Sequence, residues 1–259
     1  MKEKKKGSNT KIRTGIMLAV IFIAGIYTGA IIFSKTSADT AYSVPVGGVS
    51  MIEKDVLYLE SPTSVKINLP AVNANNTGVT AFLEVDVRPG TGLVLVNVGN
   101  IISNYDTQES MRSAAEIASE YTYKSLDNVD IIYNLVANAS ILEGPSAGAA
   151  FAVATVFALE DEDIRDNVMM TGTINHDFTI GPAGRVKAKA VVAKESGSEL
   201  FLVPAGESYE YNESEYCSDY GLFEGYCQIE YRPVKIEDIA EIKVIEVETL
   251  DDAVALFRA

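Results

Sequence analysis

The chain is poor in the residues that most often carry enzymatic chemistry. It has one histidine, His176, in 259 residues. That count excludes histidine-rich metal sites, and it leaves a Ser-His-Asp triad dependent on a residue read as the tip of a hairpin in "TINHDFTI". Cysteine is nearly as scarce, and neither Cys217 nor Cys227 has a histidine beside it in the sequence, so neither a metal site nor a thiol nucleophile is expected. Phosphate-binding loops are missing as well. "IGPAGR" brings Gly181 and Gly184 close together, yet neither GxGxxG nor GxxxxGK[ST] occurs, so no nucleotide and no other cofactor is expected. Positive charge is lacking after the first residues: positions 1–13 hold six of the 21 basic residues and one of the 36 acids, leaving 15 basic against 35 acidic beyond them. A surface that acidic repels phosphate backbones, which excludes nucleic acid as a partner.

What is present begins with a membrane signature. Residues 14–33, "TGIMLAVIFIAGIYTGAIIF", carry no charge over 20 positions, at helical rise about the ~30 Å of a bilayer's hydrocarbon core. The basic cluster at 1–13 precedes this stretch, so its N-terminal side is expected in the cytoplasm and the remainder outside, a single-pass cell-membrane protein. A cleaved signal peptide is the competing reading. The apolar run exceeds the usual ~7–15 residues of a signal peptide's apolar region, which favours an uncleaved anchor. The cysteines, ten residues apart in a Tyr- and Glu-rich stretch, suit an oxidising compartment. A disulfide closing so short a loop stabilises by roughly 2–3 kcal/mol. Asn75, Asn138 and Asn212 open N-x-[ST] sequons, of which the one at Asn138 falls in an expected strand.

A linker at 34–43 leads into one domain at 44–259, whose hydrophobic content fits a packed core (47% for the whole chain). Alternating runs "DVLYLE", "SVKINL", "VTAFLEVDVRP" and "GLVLVNV" predict strands. "TQESMRSAAEIASEYTYKS" predicts a helix from Thr107, capped by Asp106 or Thr107, and "VDIIYNLVANASIL" a further strand. A helix is expected from Ser146 to about Leu159, a hairpin in "DNVMMTGTINHDFTIG", and a helix from Gly184 to Ser196. Then come the strand "ELFLVP", a Cys-bearing insertion at about 206–233, the strand "IKVIEVE" and a closing helix "LDDAVALFRA". The mixture is α+β, with mixed sheets and packed helices.

The stretch that asks for an explanation is "EGPSAGAA", residues 143–150. Gly144 permits unusual backbone angles, Pro145 suits a first helical turn, and small residues after Ser146 let backbone N–H groups face an incoming carbonyl. Ser146 reads either as a helix cap or as a nucleophile beside a backbone oxyanion hole. A serine nucleophile without histidine needs another base, and a lysine kept neutral by burial is the known solution. At helical spacing Lys189 shares a side with Val186, Val192 and Ala193, whereas Lys187 and Lys194 fall on the opposite side.

"GPSAG", then "MTGTI", then "IGPAGRVKAK" resembles the proteolytic domain of Lon proteases, a Ser-Lys family with the ordered pattern GPSAG, MTGE and P-x-G-G-x-x-x-K. The 43 positions from Ser146 to Lys189 agree with it. The resemblance reaches, more weakly, from about Gly78 to Ala259. It implies Ser146 as nucleophile and Lys189 as general base, with Thr171 as the lysine's partner and backbone groups of Gly144, Ser146 and Ala147 around the oxyanion. Glu143 takes the place where the family often has Asp, and is expected to pair with or orient Lys189. Arg185 replaces the family's second glycine. With no nucleotide motif, the chain most resembles membrane-anchored archaeal Lon-like proteases without an ATPase module. The resemblance implies an ATP-independent serine endopeptidase for peptides or unfolded polypeptides, assembled as a homo-oligomer, commonly a hexameric ring in this family. A catalytically weak Lon-like domain serving as a scaffold or partner-binding module is the alternative.

Overall fold

Alternation of apolar and polar side chains builds the main sheet. The computed structural model describes residues 54–73, 77–99, 102–137, 141–142, 144–220 and 223–258. The expected membrane span at 14–33 and linker at 34–43 lie outside them, and among the described residues no helix is long and apolar enough to cross a membrane. In β2 (Thr63–Val72) the residues Val65, Ile67 and Leu69 point into the core. Leu83, Val85 and Val87 do so in β3 (Gly78–Pro89), and Ile131, Tyr133 and Leu135 in β7 (Val129–Ala137). With β4 (Val94–Asn97) they form a sheet of order β2-β3-β7-β4, antiparallel except for the parallel β7–β4 pair. β2 is an edge strand.

Two helices cover the inner face. α1 (Tyr105–Thr122) starts before its expected residue because its cap is Asn104, whose side chain accepts the Thr107 N–H at 3.1 Å. Asp106 and Thr107, the caps expected from sequence, lie inside the first turn. α2 (Gly148–Glu160) has every residue from Gly148 to Leu159 buried, as a helix that is apolar on all sides requires. Its one polar side chain in that stretch, Thr155, donates to the Phe151 carbonyl at 2.7 Å and pairs with the Tyr133 hydroxyl at 2.7 Å.

The second sheet is parallel, in the order β15 (Lys243–Val247), β12 (Leu200–Pro204), β9 (Val168–Met170). Both faces of β12 are buried, so its sequence reads as a continuous apolar run. Val168, Met170, Leu200 and Leu202 join the main core. Met169, Phe201 and Val203 pack on the other side against α3 (Val186–Glu195) and α4 (Ile236–Ala240). A capping box between Thr249 and Asp252 opens α5 (Leu250–Phe257). These residues belong to one compact unit, and the mixed α+β class is the one expected.

Several local expectations change. "DVLYLE" is a strand at β1 (Asp55–Val56) alone, because its parallel partner β6 (Lys124–Ser125) offers two residues. "VDIIYNLVANASIL" divides into β7 and β8 (Ile141–Leu142), the latter paired with β5 (Ile102–Ser103). The hairpin expected over 166–181 shrinks to β10 (Thr173–Ile174) and β11 (Ile180–Gly181), since the apolar triplet of β9 is taken by the parallel sheet. The Cys-bearing insertion is itself a long two-stranded hairpin, β13 (Tyr209–Tyr220) with β14 (Phe223–Lys235), in a register that sets Cys217 opposite Cys227. A disulfide joins the two sulfurs. Asn212 is exposed on this hairpin, and Asn75 and Asn138 lie outside the described residues.

Candidate active site

The site is organised at the start of the central helix. Gly144 has φ 103°, a left-handed region that an L side chain rarely adopts, and the turn it permits carries Pro145 and Ser146 to the head of α2. The helix begins at Gly148 rather than at Ser146. Its cap residue is Ala147, with no side-chain cap hydrogen bond, so Ser146 does not serve as a helix cap. Its hydroxyl is engaged elsewhere.

The carbonyl of Ser146 is gripped from the segment after β9. It accepts the Gly172 N–H at 2.7 Å and the Thr171 hydroxyl at 3.1 Å, while the Gly172 carbonyl accepts from Ala149 N–H at 3.0 Å. Gly172 has φ 150°, and a Cβ there would come within 2.6 Å of Ile180 Cγ2. Gly172→Ala is therefore expected to destabilise the fold by about 2 kcal/mol and to displace Ser146 from its partner. Urea denaturation reads the first effect and the reactivity of Ser146 the second.

α3 supplies the partner. Val186, Lys189, Ala190, Val192 and Ala193 are its buried residues, the side expected from helical spacing. Lys187 is partly exposed and pairs with Glu210 at 3.7 Å, and Lys194 is exposed. Lys189 is 5% exposed; its Nζ donates to Ser146 Oγ at 2.6 Å and to Thr171 Oγ1 at 2.9 Å. Burial lowers the ammonium's pKa from 10.5 to about 8, opposed by the negative charge of Glu207 and assisted by the positive charge of Arg185. Arg185 has φ 59° and sits just before the helix. It thus takes the left-handed backbone that a glycine would adopt there, with a cation added.

Ser146, Lys189 and Thr171 are thus brought together by three separate elements. Around them opens a cleft of about 710 Å³, walled by the 69–73 end of β2, the start of α1, the 144–147 turn, Arg185 and Lys189. Among the described residues, the backbone N–H groups of Gly144, Ser146 and Ala147 have no hydrogen-bond acceptor. Glu143 lies outside the described residues. His176 is exposed at the tip between β10 and β11 and does not line the cleft. Among the described residues, Glu215, Cys217 and Cys227 have the spacing of a metal site, but the sulfurs are joined as a disulfide and offer no thiolate. The residue that the sequence reading missed is Glu207. It lies within the stretch read as an insertion, and no spacing rule connects it to α3.

Comparison with known proteins shows the family of the chain. The model of the Lon protease (S16) C-terminal proteolytic domain matches residues 72–215. Lon protease 2 of Thermus thermophilus is 32% identical over 137 residues, 49% of this chain and 16% of that protein. The archaeal Lon protease of Thermoplasma acidophilum is 28% identical over 174 residues, 65% of this chain and 25% of that protein. That of Pyrococcus abyssi is 24% identical over 213 residues, 80% of this chain and 20% of that protein. The chain thus spans a quarter or less of the length of these relatives. With more than half of its residues matched by the family model and a serine and a lysine joined at the head of the central helix, the chain belongs to the Lon protease (S16) C-terminal proteolytic domain family.

Proposed function

We propose that the chain is a membrane-anchored, ATP-independent serine endopeptidase that uses Ser146 and Lys189 as a catalytic dyad. The observation that carries this reading is the 2.6 Å contact between Lys189 Nζ and Ser146 Oγ, made by a buried lysine at the edge of an open cleft. In its neutral form Lys189 accepts the Ser146 proton as Oγ attacks the scissile carbonyl. Among the described residues the N–H groups of Gly144, Ser146 and Ala147 have no acceptor, which leaves them open to the oxyanion. As the tetrahedral intermediate collapses, the C–N bond breaks and the Lys189 ammonium returns its proton to the leaving amine. Water, deprotonated by the same amine, then attacks the acyl carbonyl, and as the ester C–O bond breaks the Lys189 ammonium returns that proton to Ser146 Oγ. Thr171 holds Nζ on one side and the Ser146 carbonyl on the other, so one hydroxyl keeps both partners in register.

The substrate class follows from what the chain itself offers. An open cleft beside an edge strand suits an extended backbone. Peptides, loose tails and unfolded chains are the substrates we assign. The charge-free 14–33 stretch behind a basic N-terminus supports the anchor with the protease domain outside the cytoplasm, and family membership supports a homo-oligomer, for which we favour a hexameric ring. Protease accessibility on intact cells and the mass of the detergent-solubilised particle test the topology and the ring. The dyad is tested by a fluorophosphonate probe applied to the full chain between pH 6 and 10, with the adduct located by mass spectrometry. Labelling at Ser146 that climbs through about pH 8 and vanishes in Lys189→Ala is expected. Labelling of equal rate at every pH, or none on the assembled chain, would return the domain to a scaffold role.

A further inference from the structure

The segment 182–185, between β11 and the lysine helix α3, is weakly tethered. Pro182 has no N–H to give, Gly184 has nothing within 4 Å of where a Cβ would stand, and Arg185 is exposed in a left-handed conformation. Among the described residues, besides the Lys189 N–H to Arg185 carbonyl bond at 3.2 Å that opens α3, the hydrogen bond that ties this segment to another element is from Ala183 N–H to the Glu207 carboxylate, shared between its two oxygens at 3.1 and 3.2 Å. Glu207 is in turn fixed from both sides. Its own N–H donates to the Pro204 carbonyl at the end of β12 at 3.1 Å, and the next residue, Ser208, is bonded through its N–H and its hydroxyl to Glu246 of β15. The Ser208 carbonyl accepts the Ile236 N–H at 2.9 Å, closing the root of the long hairpin.

From this geometry we infer that Glu207 is a positioning residue for Lys189: it fastens the loop that launches α3 to the rigid end of the parallel sheet, and so sets where the lysine amine meets Ser146. The inference rests on the Ser146–Lys189 reading above. It also gives the hairpin insertion a place in the site, because Glu207 stands at its root and a second contact, Lys187 with Glu210, joins the first turn of α3 to the first residues of β13. That second contact is exposed and contributes little by itself. Glu207 acts on the lysine through charge as well as through position. Among the described residues, the charged groups that act on Lys189 are the Glu207 carboxylate from the β12–β13 turn and the Arg185 guanidinium from the start of its own helix, and Asp106 lines the α1 side of the same cleft. Of these, Glu207 raises the lysine pKa and Arg185 lowers it.

The experiment uses the full chain in detergent micelles, labelled on lysine with 13C and 15N. The Lys189 signal is assigned by its absence in Lys189→Met and titrated in the parent, Glu207→Gln and Glu207→Ala, alongside fluorophosphonate labelling rates at Ser146. Removing the negative charge in Glu207→Gln is expected to lower the Lys189 midpoint by about half to one pH unit. The labelling plateau should stay within about threefold, since the amide oxygen still accepts from Ala183 N–H. Glu207→Ala, with no acceptor, is expected to lose tenfold or more of the plateau rate, as a displaced base would. Should Glu207→Ala fail to fold, Glu207→Asp takes its place, since its shorter carboxylate keeps the charge but not the reach to Ala183 N–H, and the same loss of plateau is expected. A folded Glu207→Ala or Glu207→Asp whose plateau stays within about threefold of the parent would overturn the positioning, and a midpoint unmoved in Glu207→Gln would overturn the charge coupling. If the parent never labels while the midpoint still moves, the serine–lysine reading falls and the hold of Glu207 on Lys189 stands.

Discussion

Alanine at Ser146 or at Lys189 is expected to lower peptide hydrolysis by more than about 10³-fold, with the double variant no worse than either single one. Groups that act as one unit show this non-additivity, because each is useless without the other. Lys189→Arg sharpens the test. It keeps the positive charge but cannot deprotonate at any pH the protein tolerates, so it is expected to be as inactive as alanine if the lysine is a base, and substantially active if the lysine merely supplies charge. Initial rates on an unstructured peptide, taken between pH 6 and 10, are the measurement. For the parent the rate should increase through about pH 8, where the buried amine becomes neutral. A rate that falls over this range would mean that the ammonium form is the active one.

The second large effect is on stability. Lys189→Met is expected to make the folded protein more stable at pH 7 by on the order of 3 kcal/mol. The sign follows from the direction of the shift. Lys189 binds its proton less tightly folded, at about 8, than its ordinary 10.5. Below pH 8 both states are protonated, and the folded state carries the full cost of holding an ammonium away from water. Between about 8 and 10.5 the unfolded chain still holds the proton that the folded one has released, so the parent gains stability as pH rises. Methionine has no such proton, and its advantage should shrink over this window. Urea denaturation of the two proteins at pH 7, 8.5 and 10 measures the difference, in which the tyrosines common to both cancel. A variant no more stable at pH 7 than at pH 10, relative to the parent, would mean that Lys189 is solvated despite its 5% exposure.

Both effects originate in the same choice. A side chain that packs comfortably at position 189 would strengthen the fold, and the charged amine placed there weakens it; on the proposed function, chemistry is the return. The local sequence shows this conflict. Val186, Val192 and Ala193 announce the buried side of α3, and Lys189 is the polar residue that shares it.

Ser146, Lys189 and their spacing were legible because they are carried by short ordered motifs, and the α+β class because strand and helix periods are written into local runs. Sequence also singled out Thr171, through its place in "MTG". Other features depended on the fold. Ser146 was ambiguous between cap and nucleophile until α2 began two residues later, at Gly148, with Ala147 as its cap. The long hairpin was hidden because nearly all of its described side chains are exposed, and exposure on both faces erases the inside–outside alternation that reveals a strand. β9 read as part of a hairpin because three apolar residues fit either sheet, and the parallel partner that claims them is some 30 residues further along. Glu207 was invisible for the same reason. The sequence by itself determined which groups can react, since reactivity belongs to side-chain type and local spacing. The tertiary structure alone decided the state those groups are in, because burial, charge and a hydrogen bond across 43 residues are properties of what chain folding brings together.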